Sequence, residues 1–230
     1  MRDGWEAQAR NWAAFSRVPG RDVAHEVINL PAFLRLLPEP AGLTLDLGCG
    51  EGRLGRVLLA RGYRLAGVDA APTMIRLAAG HELPEPAVLA DAAALPFRDE
   101  AFGLVVAYMS LHDMDRMPEA VAEAARVLDH GGRLVMAIPH PVNSAGSFQT
   151  RDADAPFTIA GSYLDPGPAD TVINRGGVRL TFHSEHRPLE SYSRALEAAG
   201  LLIEAIREPK APDGRWQRIP LSLQLRAVKP

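Results

Sequence analysis

The chain of 230 residues has a single cysteine, no surplus of positive charge and no long apolar run. With Cys49 as its only thiol it cannot form an internal disulfide, so nothing calls for an oxidising compartment and a cytoplasmic setting is the expectation. Lys and Arg number 25 against 28 Asp and Glu, a formal net charge of −3. That leaves no basic excess to neutralise a phosphate backbone, and nucleic acid is not an expected partner. No apolar stretch approaches the ~20 residues of a membrane span, and Met1-Arg2-Asp3-Gly4-Trp5-Glu6 carries no apolar targeting core. Neither secretion nor membrane insertion is therefore expected.

What is present reads as a folded globular chain, 47% hydrophobic and 23% charged. Between residues 43 and 139 short apolar runs alternate with helix-like segments. Leu43 to Leu47, Arg64 to Asp69, Ala87 to Asp91, Phe102 to Met109 and Arg133 to Ile138 are apolar on both faces, as strands of a covered parallel sheet must be. Arg53 to Ala60, Pro72 to Ala79 and Pro118 to Leu128 have helical spacing, with Pro72 and Pro118 suited to first turns. Asp129-His130-Gly131-Gly132 is expected to close the last helix through a left-handed glycine. Repeated βα units of this kind make a parallel sheet covered by helices.

The organisation predicted is a helical cap over residues 1–38, a Rossmann-like core over 39–139, an insertion over 140–187 and completion of the core over 188–230. In the cap, Trp5, Trp12, Phe15, Val27, Leu30 and Phe33 offer apolar contacts. The insertion is rich in Pro, Gly and Asp, with alternating segments at Phe157 to Tyr163 and Val178 to His183, and should form a small antiparallel element. A helix from Leu189 to Ala199 and strands at Leu201 to Arg207 and Leu221 to Val228 then raise the strand count to seven.

The strongest chemical signal is Leu45-Asp46-Leu47-Gly48-Cys49-Gly50-Glu51-Gly52-Arg53, a buried strand entering a glycine turn and then a helix. Glycines allow positive φ and close backbone approach, and the helix start offers free N–H groups, so the turn suits a nucleotide or nucleoside. Gly50, Gly52 and Gly55 also satisfy the spacing of a dinucleotide site. Asp46 argues the other way, because a carboxylate there repels a pyrophosphate and attracts the ammonium of an amino-acid moiety. Asp69, 19 residues after Gly50, ends the next strand where an acid can take both hydroxyls of a ribose. Asp91 ends the third strand, where it could accept a hydrogen bond from an adenine amine. Each Asp alone could be a helix cap or loop solvator; the three together form a set.

These residues, with Gly67-Val68-Asp69, Asp91 to Phe97 and Ala125-Arg126-Val127-Leu128 before Gly131-Gly132, resemble the successive motifs of the class I S-adenosylmethionine-dependent methyltransferases. Within that class they are similar to the small-molecule group of ubiquinone and menaquinone biosynthesis methyltransferases (methyltransferase type 11 domain). The resemblance covers most of residues 40–139 and, more loosely, 188–228. It implies a doubly wound α/β sheet of seven strands in order 3-2-1-4-5-7-6, one of them antiparallel. It further implies S-adenosylmethionine as cofactor and S-adenosylhomocysteine as product. Asp46, Gly48 and Gly50 would hold the methionine part, with Cys49 in the same turn among the cofactor-binding positions, Asp69 the ribose, Asp91 with Ala92 the adenine, and Ala70 and Met74 the adenosine faces. Met109 would line the sulfonium side.

Methyl transfer is an in-line displacement in which alignment and exclusion of water matter most, and a base is needed only for a nucleophile that carries a proton. His112, with Asp113 beside it, is the first candidate base and His140 the second; either could instead cap a turn or serve as a chain exit. Arg17 could close over the cofactor carboxylate or merely solvate the surface. Arg53, Arg56 and Arg61 read as the wet face of a helix. Cys49 reads as a packing residue, and His183 and His186 lack the spacing of metal ligands, so no metal site is expected. Phe148, Phe157, Tyr163 and Phe182 could wall an apolar pocket or pack the insertion's own core. The expected partner is a small-molecule methyl acceptor, and the protein a monomer or homodimer. The competing readings are a cofactor-binding protein that transfers no methyl group and a nucleotide-dependent oxidoreductase.

Overall fold

Five apolar runs and two later ones do become one sheet. In the computed structural model, which describes residues 1–80, 87–175 and 177–230, the strands are β1 (Leu43–Leu47), β2 (Arg64–Asp69), β3 (Ala87–Leu89), β4 (Phe102–Tyr108), β5 (Leu128–Pro139), β6 (Leu202–Arg207) and β7 (Ser222–Val228). Their order across the sheet is 3-2-1-4-5-7-6, with β7 antiparallel to both of its neighbours. The long helices are α1 (Arg2–Ser16), α2 (Leu30–Leu36), α3 (Arg53–Leu59), α4 (Pro72–Ala79) and α5 (Met117–Val127) before the insertion, which itself carries α6 (Pro141–Ala145), and α7 (Leu189–Ala198) after it.

Alternation along the strands divides the core between the two faces. Leu45, Leu47, Val105 and Ala107 join Val121, Ala124 and Leu196 of α5 and α7 on one side. Leu104, Val106 and Val135 meet Phe33 of α2 and Leu54 and Leu58 of α3 on the other. Each fully buried aliphatic side chain of this kind contributes about 1.5–3 kcal/mol. β1 lies between β2 and β4, so the chain winds outward in opposite directions from it, and a crevice opens at the carboxyl ends of these strands.

Three local expectations need correction. The helix α5 does not end on a left-handed glycine: Leu128 is already extended (φ −72°, ψ 138°) and pairs with Phe102, after which the register of β4 and β5 breaks before Leu104 meets Arg133. Gly131 does take positive φ, but inside the resulting excursion. The third strand stops at Leu89, leaving Asp91 on a turn. In the cap, residues 24–29 form a π-helix whose wider turn rotates the face, and Val27 stands 54% exposed while Phe15 and Phe33 are buried.

The insertion holds three small antiparallel pairs: Ser147–Phe148 with Phe157–Thr158, Gly167–Pro168 with Glu185–His186, and Thr171–Arg175 with Val178–Phe182. The last hairpin packs against α1, so cap and insertion meet over the crevice. Among the described residues no helix is long and apolar enough to cross a membrane.

Candidate functional site

The glycine turn is anchored before it reaches any ligand. Gly48 and Cys49 both donate their N–H to the carbonyl of Val68, at 2.8 and 2.9 Å, which ties the end of β1 to β2. Gly48 has φ +76°, and a Cβ there would lie 2.6 Å from the Ser110 Cβ, so both conformation and space demand glycine. Asp69 Oδ2 accepts from the Gly50 N–H at 2.9 Å and its Oδ1 from the Ala71 N–H at 2.8 Å. Burial raises the Asp69 carboxyl above its usual range, against these amide donors.

Asp46 is the exceptional group. It is 3% exposed, its Oδ2 has no hydrogen-bond partner among the described residues, and burial, together with Asp69, pushes its carboxyl up to about 7. A buried carboxylate oxygen without a donor is costly, and it is relieved by a cation or an N–H group arriving in the crevice. The thiol of Cys49 is pushed well up by burial and by Asp46 and Asp69, which keeps it protonated and inert.

The crevice is one cleft of about 1280 Å³. Asp46, Gly48, Cys49, Gly50, Asp69, Ala70, Met74, Asp91, Ala92, Met109, His112 and Asp113 all border it, so the structure brings these expected site residues together. Met74 is buried against Ala9 and Ala71, with Trp5 and Trp12 alongside. Asp91 is an exposed rim residue: its Oδ1 accepts from the Ala93 N–H at 2.9 Å and its Oδ2 from Arg116 at 2.6 Å. The Ala93 amide and then Arg116 hold its carboxyl below the usual range. Met109 takes φ +53°, uncommon for a residue with a Cβ, and donates to the Ala137 carbonyl at 2.8 Å as β4 turns into the cleft.

His112 is buried, and burial keeps its imidazole below its ordinary pKa despite Asp113. Its Nε2 lies 3.3 Å from Asp113 Oδ1, and its Nδ1 has no partner among the described residues. Asp113 in turn accepts from Trp5 Nε1 at 3.0 Å and from Ser184 Oγ at 2.6 Å, joining α1 and the insertion at one carboxylate.

Two expected residues stand apart from the cleft. Arg17 pairs with the fully buried carboxylate of Glu51 at 2.9 Å and reaches the Leu77 carbonyl at 3.4 Å. His140 caps α6 by accepting the Val142 N–H at Nδ1 (3.1 Å), and its Nε2 meets Glu208 at 2.8 Å, which spends both ring nitrogens on structure. Of the four insertion aromatics only Phe182 borders the cleft; Phe148 packs on Phe157 and on Trp216, and the Tyr163 backbone carbonyl accepts from His186 Nε2 at 2.9 Å. No cluster of metal-ligating side chains occurs among the described residues.

Sequence reasoning missed several groups. Arg56 holds Glu51 at 2.9 Å and Arg53 holds Asp22 at 2.7 Å, so two of the three arginines assigned to a wet face are partners of acids from the turn and the cap. His25 meets Tyr108 at 3.1 Å on the cleft wall, a pair 83 residues apart that no local pattern announces. Trp5 and Trp12, two helical turns apart on α1, were legible as apolar contacts of the cap, and they border the cleft.

Residues 45–136 match a family described as a methyltransferase domain. The chain is 31% identical over 133 residues to the human mitochondrial arginine-hydroxylase NDUFAF5, covering 56% of this chain and 39% of that one. It is 30% identical over 141 residues to the malonyl-[acyl-carrier protein] O-methyltransferase of Serratia marcescens, covering 60% and 54%. The chain thus spans about half or less of these relatives. Its fold superposes with TM-score 0.70 on an S-adenosylmethionine dependent methyltransferase from Mesorhizobium loti, at 25% identity, covering 86% of this chain and 96% of that one.

Proposed function

From the match of residues 45–136 to a methyltransferase-domain family we propose that the chain transfers a methyl group from S-adenosylmethionine to a nucleophile on a small molecule. The observation that carries the cofactor reading is the partnerless Oδ2 of Asp46 at the floor of the cleft, beside a turn where only glycine fits. A dinucleotide would bring its pyrophosphate to that carboxylate, whereas an amino-acid ammonium offsets it.

When bound, the cofactor supplies an activated methyl carbon on a sulfonium. The rest is the work of this chain. Asp46 binds an ammonium, and Gly48 and Gly50 give their backbone room. Asp69, already fixed by Gly50 and Ala71, keeps lone pairs for ribose hydroxyls. Ala70, Met74, Asp91 and Ala92 flank the adenine side. The cap and insertion close over the far end and exclude water. His112, held neutral by its burial, is able to take a proton from the nucleophile, and Asp113 orients it.

A second reading, cofactor binding in the service of another reaction, is favoured by the relative named as a hydroxylase. Incubation with methyl-labelled S-adenosylmethionine and a panel of small amines, phenols and acids separates the two. Label appearing in an acceptor with equal formation of S-adenosylhomocysteine supports transfer. Tight cofactor binding with no label moved to any of them supports the second reading.

A further inference from the structure

The cleft, at about 1280 Å³, exceeds the ~300–1,000 Å³ usual for one small ligand and has room for an acceptor beside the cofactor. Its acceptor end is built from two kinds of group. Trp5, Trp12 and Phe182 form an aromatic wall, with ring centroids 5.7–5.9 Å apart and the two Trp rings nearly perpendicular. Beside them sits the Asp113 carboxylate, 7% exposed at its side chain.

The charges at this end are unbalanced. Among the described residues, the cations on the cleft wall already have carboxylates: Arg53 has Asp22 (2.7 Å), Arg116 has Asp91 (2.6 Å), Arg2 has Asp3 (3.1 Å) and the terminal ammonium of Met1 has Asp115 (2.9 Å). Arg187, behind His112, is committed to Glu185 and to the carbonyls of His112 and Met114. Asp113 receives its hydrogen bonds from neutral donors, the Trp5 indole and the Ser184 hydroxyl; burial raises its carboxyl against the pull of His112 and Arg187, and burial lowers the imidazole beside it. Buried carboxylates are ordinarily matched by a cation. An anionic acceptor would find no free cation here and would face Asp113. A cationic one would find the carboxylate and three aromatic rings, whose faces attract positive charge.

We propose that the methyl acceptor is an amine carried on a flat apolar body, its ammonium held at Asp113 and its body against Trp5, Trp12 and Phe182. The inference rests on the methyl-transfer reading and names its substrate class. For reaction the ammonium gives one proton to the imidazole of His112. The freed nitrogen lone pair forms the N–C bond to the methyl carbon as the C–S bond breaks, and that bond's electron pair returns to sulfur. The products are a methylated ammonium and a thioether, with one proton released through His112.

The test is titration calorimetry on the protein saturated with S-adenosylhomocysteine, using tryptamine, tryptophol and indole-3-propionate, and then phenethylamine, 2-phenylethanol and 3-phenylpropionate. Each amine is expected to bind at least about tenfold more tightly than its alcohol and carboxylate counterparts. Asp113→Asn should reduce that preference to about threefold or less while leaving S-adenosylhomocysteine affinity unchanged. Should that variant fail to fold, Trp12→Leu takes its place and should cost at least about fivefold in amine affinity. The proposal is overturned if neither amine binds, if an alcohol or carboxylate binds as well as its amine, or if the preference survives in Asp113→Asn. Unchanged amine affinity in Trp12→Leu overturns it as well. Failure of the wild-type protein to bind S-adenosylhomocysteine would instead remove the methyl-transfer reading itself.

Discussion

Asp46 makes cofactor binding depend on pH in a direction that its burial fixes. In the free protein its carboxyl is pushed from 3.8 up to about 7, so near pH 6 most molecules carry a neutral acid at the floor of the cleft. An ammonium ligand needs the carboxylate and must displace that proton. Affinity for S-adenosylhomocysteine should therefore fall by about tenfold for each pH unit below 7 and level off above it. Calorimetry in two buffers of different ionisation enthalpy should count nearly one proton released at pH 6 and few at pH 8. Asp46→Asn should flatten the profile and weaken binding at pH 8 by roughly 10- to 100-fold, the worth of a hydrogen bond to a charged group. The same shift has a cost in stability. Because the folded carboxyl titrates above the unfolded one, the stability it contributes is present below pH ~4 and lost as pH rises through about 7, on the order of 4 kcal/mol at most. Asp46→Asn should thus raise the Tm of the free protein at pH 8 while weakening its hold on the ligand. A dissociation constant unchanged from pH 5.5 to 8, or proton uptake on binding, would show that the Asp46 carboxylate does not hold the ligand's ammonium.

Three further outcomes are expected. Asp69→Ala should abolish measurable cofactor binding by calorimetry and, since it frees the Gly50 and Ala71 amides, cost about 1–3 kcal/mol in urea unfolding; retained affinity would dismiss the ribose role. His112→Ala should slow turnover by about 10²- to 10⁴-fold with cofactor affinity unchanged, and restored rates at high pH would identify the lost function as proton removal; undiminished turnover at pH 7 would dismiss it as base. Gly48→Ala forces a Cβ against Ser110 at φ +76° and should cost about 1–3 kcal/mol together with cofactor affinity; a variant as stable and as competent as wild type would show that the turn yields easily.

The parts of this molecule that were legible in its sequence are those fixed by local physics. Short apolar runs predicted all seven strands and, with the family resemblance, their order; the first five left the clearest pattern, because buried parallel strands are apolar on both faces. Asp46, Gly48 and Asp69 were legible for the same reason, being tied to strand ends. Arg17 and His140 were misjudged because their partners, Glu51 and Glu208, lie 34 and 68 residues away and no periodicity connects them. Trp5, Asp113 and Ser184 illustrate the same limit. The cap, the strand-four exit and the insertion are joined at one carboxylate, and such a junction exists only once the chain has folded.

We propose that the glycine turn and its acids hold S-adenosylmethionine. Titration calorimetry of the purified protein with S-adenosylmethionine, S-adenosylhomocysteine and NADH in parallel tests it most directly. Binding of the first two in the range of about 1–100 μM and none of NADH is expected. Binding of NADH alone would contradict it and return the turn to the dinucleotide class.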